Sequence, residues 1–383
     1  MKTSAVICLS LLVLCACQRQ PQIDRVTENG IEVVLNHLQP YDIGRNFGIS
    51  LLDPAFSIDT EKEGSLKIGL TDIETFDVDP EGNIYVIQWQ SKDHFIFKFS
   101  PEGRFIKSFA RLGQGPGELE YGGRVLVTPQ NEILAKDPSK RKFPLYDREG
   151  RFIKDIHLEK NYSPVPLRNG QYLVFWGEDI PQLRKQYVGL ADSEFKDVKV
   201  LEAFQYPNAM NAKCPVNRDM MIYEVSQDRI FIGNTKNGYE IRVHDLDGRV
   251  LRKIRKEYEP VPVTEDIKTA YFKLFPEDDP LKANFYFTDF WPPFRGLYAN
   301  DAGRLWVLTY ETGLKPGEFM YDIFNPEGLF IGRASFANMR NLCRPFSFRI
   351  KIREGRLYSL QEKDNGYKEL AVRQIVRQGT SPD

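Results

Sequence analysis

The stretch Phe76-Asp77-Val78-Asp79-Pro80-Glu81-Gly82-Asn83-Ile84-Tyr85-Val86, followed by Phe97-Lys98-Phe99-Ser100-Pro101-Glu102-Gly103-Arg104-Phe105-Ile106-Lys107, decides the fold. In each half a tight turn carrying Pro and Gly separates two flanks in which apolar and polar residues alternate with period two, the pattern of an antiparallel strand pair. Two such pairs in succession make one four-stranded unit. The unit recurs at Val127 to Leu134 with Leu145 to Lys154, Leu167 to Trp176 with Val188 to Leu201, and Val225 to Gly233 with Ile241 to Val250. It recurs again at Leu297 to Val307 with Asp322 to Ile331, and at Ile352 to Tyr358 with Glu369 to Ile375. Six four-stranded units, spaced by about 40 to 55 residues apart from one insertion, predict an all-β, six-bladed β-propeller. An open sandwich is the alternative, but nothing in a sandwich requires the same turn signature in the same half of every unit. A closed ring needs its last edge paired. The strand-like segment Ile31-Glu32-Val33-Val34-Leu35-Asn36, upstream of the first unit, is expected to complete the last blade.

Composition agrees with many short strands and tight turns. The 383 residues include 28 Gly, 24 Pro and 13% aromatic residues, enough chain for a substantial core. Lys plus Arg number 52 against 53 Asp plus Glu, a net charge of −1 with no basic tract. That balance argues against a polyanion-binding protein, so no nucleic-acid partner is expected.

Lys2 precedes an apolar run from Ala5 to Leu14, the length of a signal-peptide core and too short to span a bilayer as a helix. Leu14-Cys15-Ala16-Cys17 follows directly and resembles the bacterial lipobox, in which a small residue precedes a cysteine that is lipidated and becomes the new N-terminus. The organisation expected is a signal peptide at 1–16, a lipidated tether at 17–29 beginning with Cys17, a propeller at 30–376 with an insertion at 258–294, and a C-terminal tail at 377–383. Acyl chains on Cys17 would make the membrane a partner through an anchor. The remaining cysteines, Cys214 and Cys343, precede blades four and six. A third of a turn of the ring would separate them, so they are expected to stay unpaired even in an oxidising compartment.

The mature chain resembles the six-bladed propeller lipoproteins of Bacteroidota and related bacteria, a family related to NHL repeats. The residues that carry this are Val33 to Asn36, Asp79 to Val86, Gly113-Gln114-Gly115-Pro116-Gly117-Glu118, and Asp301-Ala302-Gly303 ahead of Leu305-Trp306-Val307. The resemblance implies a fold and a cell-envelope address, with the outer membrane as the expected anchor. It says little about activity.

Between Tyr258 and Phe294, Thr264 is placed to cap a helix with Ile267, Ala270, Tyr271 and Leu274 on one face and Pro276 as its stop. The aromatic stretch from Asn284 to Phe294, which includes Trp291, is read as packing the excursion onto its scaffold, with a stacking platform for a sugar or peptide as the alternative. Gly113 to Gly117 is read as an inter-blade crossover needing positive φ, because Pro116 and the strand context exclude a phosphate loop.

His37, His94, His157 and His244 occupy inequivalent positions and do not predict a zinc site. Glu74, Asp77 and Asp79 have no acidic counterparts in other blades, where Leu126, Thr128 and Tyr298 stand, so no calcium cage is expected. Neither metal nor cofactor is predicted. Arginine recurs near the starts of inner strands, at Arg124, Arg295 and Arg349. Converging there, they would form an anion site flanked by Trp291, unless Glu74 or Glu224 pair with them across blades. The function expected is a binding or interaction module at the cell envelope, for a protein partner or a small anionic ligand. The alternatives are a lactonase- or lyase-like propeller enzyme and a scaffolding subunit.

Overall fold

The computed structural model describes residues 24–41, 48–158, 160–226, 228–337 and 350–378. Six four-stranded antiparallel blades follow one another along the chain. Blade one is Thr75–Val78, Ile84–Ile87, His94–Phe99 and Phe105–Arg111; blade two is Arg124–Val127, Ile133–Lys136, Lys142–Tyr146 and Phe152–His157. Blade three is Ser163–Pro166, Tyr172–Ile180, Leu183–Ala191 and Val198–Pro207; blade four is Met221–Ser226, Arg229–Asn234, Glu240–His244 and Val250–Lys256. Blade five is Gly296–Ala299, Leu305–Thr312, Glu318–Phe324 and Phe330–Ala337. Blade six takes Ile350–Arg353, Arg356–Glu362 and Lys368–Gln378 from the C-terminal end and Gly48–Asp59 from the N-terminal end.

The repeated turn signature has a physical cause visible in the hydrogen bonds. In several of the turns the Asp or Asn that opens them accepts backbone N–H bonds from residues two and four positions on, and Ser100 does the same through its hydroxyl. Asp147 Oδ1 takes Glu149 and Arg151, Asp245 Oδ1 takes Asp247 and Arg249, and Asn325 Oδ1 takes Glu327 and Leu329, all at 2.8 to 3.1 Å. The glycine that follows enters the left-handed region. At Gly103 (φ 80°) a Cβ would also lie 2.4 Å from the Phe56 ring, so two requirements fix one residue.

The closing strand differs from the expectation. Ile31–Asn36 does not complete blade six; it runs parallel to Val250–Lys256 as a fifth strand of blade four, and Asp24–Glu28, within the stretch read as tether, forms a sixth. Charge selects that edge: Glu32 meets Arg252 at 3.1 Å, and Glu28 meets Arg255 and Lys253 at 2.5 and 3.1 Å. The strand that closes the ring, Gly48–Asp59, contains Pro54, which makes its sequence read poorly as a strand. Proline is tolerated there because the strand is outermost and the register shifts at Arg373 opposite it.

The core lies between blades rather than in one central mass. Tyr321 stacks on Phe336 at 3.9 Å beside Trp306 in the layer between blades five and six. A buried polar network joins blades four and five: Asp322 accepts from Tyr239 and Arg333 at 2.8 Å and faces Lys256 at 3.4 Å.

The insertion carries the helix Glu265–Phe272, which ends before Pro276, and Thr264 makes no side-chain cap bond. Its packed face is Ile267, Tyr271 and Phe272, with the Tyr271 and Phe272 rings 5.4 and 5.9 Å from Phe287; Ala270 and Leu274, expected on that face, are exposed. No helix among the described residues is long and apolar enough to cross a membrane.

Candidate functional site

Antiparallel alternation puts the first and third turns of every blade on one face of the ring, and the second loop and the inter-blade crossovers on the other. The Pro- and Gly-bearing turns of the repeat all belong to the first face. The inner strands begin on the second, where all six contribute to a channel cavity of about 460 Å³.

An inner strand has one free backbone edge, and its N–H groups need partners. In blade two, Val125 N donates to Thr75 Oγ1 at 3.0 Å and Val127 N to Asp77 Oδ2 at 2.8 Å. The other Asp77 oxygen holds Lys351 Nζ of blade six at 2.6 Å. Asp77 is therefore a joint between three blades. Asp79 caps its own turn, taking Asn83 N at 2.7 Å, and Glu74 lies 3.9 Å from Lys368. Among the described residues no group of three or more His, Cys, Asp or Glu is placed to hold a metal ion.

Across the channel stands Glu224. Burial pushes its carboxyl up to about 7, against the pull of Lys351, of the Val225 N–H and of Arg124. Phe175 and Tyr223, with ring centres 5.6 Å apart, supply apolar wall beside it.

Arg124 stands where the sequence placed it, half-buried in the channel wall. Its register partner on the adjacent strand is Lys136, and like charges directly opposed are unfavourable. Burial and the Arg124 charge both lower the Lys136 pKa, while its ammonium donates to Ser163 Oγ at 3.2 Å. Among the described residues neither cation has a carboxylate within ion-pair distance.

Arg295 lines the same cavity, with its guanidinium turned inward. It is 3% exposed, and its guanidinium carbon lies 3.9 Å from the Phe319 ring centre and 4.9 Å from that of Tyr310. The reason is register: Arg295 precedes the inner strand Gly296–Ala299 and turns toward the aromatic residues of its own blade. Trp291 stacks on Tyr310 at 4.5 Å and is buried, packing the insertion down rather than presenting a platform at the channel. Arg349, Cys17 and Cys343 lie outside the described residues. Cys214 is a free, buried thiol.

The histidines are dispersed. His37 sits between Asp24 and Glu257 on the rim of blade four, His94 contacts Asp93 at 2.9 Å, and His157 ends an outer strand. His244 is buried, which lowers its pKa to about 4. The crossover Gly113 to Glu118 is filled by its own Glu118 carboxylate, which accepts from Gly115 N at 2.8 Å and lies 2.1 Å from where a Cβ on Gly113 would fall. Gly117 has φ 69°.

Sequence reading did not single out Lys136 or Lys351. Lys136 was in reach, because counting back across the turn after Val127 sets it opposite Arg124; Lys351 becomes relevant only when blade six meets blade one.

No curated protein matches the chain. A DUF4221 family member from Bacteroides vulgatus ATCC 8482 superposes with TM-score 0.50 at 12% identity, covering 87% of this chain and 100% of its own. A protein of Bacteroides fragilis NCTC 9343 described as exported gives 0.48 at 12% identity, covering 89% and 98%. A streptogramin B lyase gives 0.38 at 9% identity, covering 87% and 98%, too loose a match to bear on chemistry. Residues 66–256, just under half of the chain, match the DUF5128 family model, described as a 6-bladed beta-propeller. The chain is thus a six-bladed β-propeller, similar through its first four blades to that family.

Proposed function

We propose that this chain is an exported, lipid-anchored binding module of the cell envelope, and that its ligand is a small anion held at the channel mouth. One observation carries the site: Arg124 lines the channel cavity with its register partner Lys136 behind it, in the small gap beside Ser163, and among the described residues neither has a carboxylate within ion-pair distance. A guanidinium with a second cation behind it gains from an anion in front of it, and it offers the planar fork that binds a carboxylate bidentately. Lys351 adds positive charge from blade six, moderated by Asp77. Glu224 gives the opposite wall a carboxyl that donates a hydrogen bond below about pH 7 and repels an anion above it.

Citrate, a compact polycarboxylate, is the probe. Isothermal titration at low salt should show saturable binding that weakens at least tenfold in Arg124→Gln and as salt is raised. Equal affinity in wild type and variant would overturn the assignment. The envelope address rests on Ala5 to Leu14 followed by Leu14-Cys15-Ala16-Cys17. Cys17→Ser should move the protein from the membrane to the soluble fraction and abolish acyl labelling; membrane association that persists without acyl incorporation would remove the anchor.

A further inference from the structure

A second cleft of about 380 Å³ opens on the same face, between the end of blade three, the start of blade four and the insertion. We infer that this cleft binds an organic anion with an aromatic body, gripped at its charged end by Arg218 and along its ring by the wall the insertion builds. The Arg218 guanidinium carbon lies 4.4 Å from the ring centre of Tyr206, so the fork is held flat by stacking. Among the described residues it has no carboxylate within ion-pair distance. Lys236 lines the same cleft, again without such a partner. The one acid lining it, Asp219, accepts from the buried Thr235 hydroxyl at 2.9 Å. The cleft thus carries two cations against one engaged carboxylate, in a volume that suits a ligand of one or two rings.

The apolar half of the site comes from the insertion. Phe290 is 52% exposed and Tyr258 37% exposed, and Pro292 lies beside them in the lining. Exposed aromatic faces next to a preset guanidinium match a flat, anionic ligand, because stacking and the bidentate contact are made at once. This wall is rigidly placed. Asn217, 4% exposed, donates through Nδ2 to Thr288 O, Thr288 Oγ1 and Phe290 O at 3.1, 2.7 and 2.6 Å and accepts from Thr288 N at 2.9 Å. Cys214–Pro215 pairs in parallel with Phe285–Tyr286, and Trp291 N donates to Val261 O at 2.9 Å. The insertion therefore does more than cover its own aromatic residues: it holds Phe290 in the lining of the cleft that Arg218 also lines. The sequence contained both halves of this pairing of arginine with aromatic wall, but the arginine is Arg218, in a crossover, and not one at an inner-strand start.

The test titrates the full chain with indole-3-acetate, indole-3-phosphate and acetate, reading heat and saturation-transfer NMR of the indole ring protons. Saturable binding of at least one indole anion, at least tenfold tighter than acetate, is expected, and the two indole probes distinguish a carboxylate from a phosphate head. Arg218→Gln should weaken it at least tenfold with the thermal midpoint unchanged. Phe290→Ala, on an exposed side chain, should weaken it several-fold and reduce the ring saturation. Arg124→Gln should leave it unaltered, which separates this cleft from the channel site. Binding no tighter than acetate, unchanged binding in Arg218→Gln, or equal loss in Arg124→Gln would each overturn the inference.

Discussion

Replacing Glu224 with Gln tests the electrostatics of the channel directly. The fold holds the Glu224 proton to about pH 7, whereas an ordinary glutamate loses it near 4.5. The folded state thus binds this proton more tightly than the unfolded chain. The stability it contributes is fully present below pH 4.5 and lost as pH rises through 7. At about 1.4 kcal/mol per pH unit the full loss is about 3 kcal/mol. The channel is open to water, which keeps part of the charge hydrated, so ~2 kcal/mol is expected. Glutamine cannot ionise and keeps the acceptor that takes Val225 N at 2.9 Å. Glu224→Gln should therefore be more stable than wild type by about 2 kcal/mol at pH 8 and by only a few tenths at pH 4. Urea unfolding followed by tryptophan fluorescence at both pH values measures the difference, and contributions from other groups cancel between the two proteins. A variant less stable at pH 8, or an equal gain at both pH values, would refute the reasoning. It would mean that Lys351 and Arg124 outweigh burial and hold the carboxylate charged.

Two further predictions concern the strands that reach blades four and six from the N-terminal end. Ile58, 3% exposed in the closing strand, should cost about 2 to 5 kcal/mol when cut to alanine, as a buried core residue does. Val26→Ala on the outermost strand of blade four, 43% exposed, should stay within about 0.5 kcal/mol; equal effects in urea unfolding would contradict the assignment of Gly48–Asp59 as the closure. His37 has a raised pKa because Asp24 and Glu257 hydrogen-bond its ring, so its contribution is present at low pH and lost as pH rises through that raised value. Amide exchange in 24–36, corrected for intrinsic rate, should lose protection on going from pH 6 to pH 9, and His37→Gln should flatten that dependence; an unchanged profile would remove His37 from the fastening of the strand pair.

The blade repeat was legible in the sequence because its causes are local. Asp147 caps its own turn two and four residues on, Gly150 supplies the positive φ, and the flanking alternation fixes which side chains face the neighbouring blades. Those interactions span a handful of residues, so reading them needs no knowledge of the ring. Part of the crossover at Gly113 to Glu118 was legible for the same reason, since Gly113 and Gly115 answer to the Glu118 carboxylate five residues away or fewer, whereas Gly117 packs on the distant Phe152. That Arg124 opens an inner strand was legible because the start of such a strand is set by the turn that follows it.

What the tertiary structure decided is wherever distant segments meet. Two N-terminal strands competed for the open edges. The preference of Ile31–Asn36 for blade four comes from Glu28 and Glu32 facing Arg252, Lys253 and Arg255, residues more than two hundred positions away. The fate of each arginine was decided in the same way. Both Arg124 and Arg295 line the cavity, yet the Arg295 guanidinium is buried over Phe319 and Tyr310 of blade five, while Arg124 is half-buried opposite Lys136. A sequence specifies turns and alternation by short-range bonding. Which charges remain unneutralised depends on the neighbours that ring closure brings, and those are fixed only when all six blades are in place.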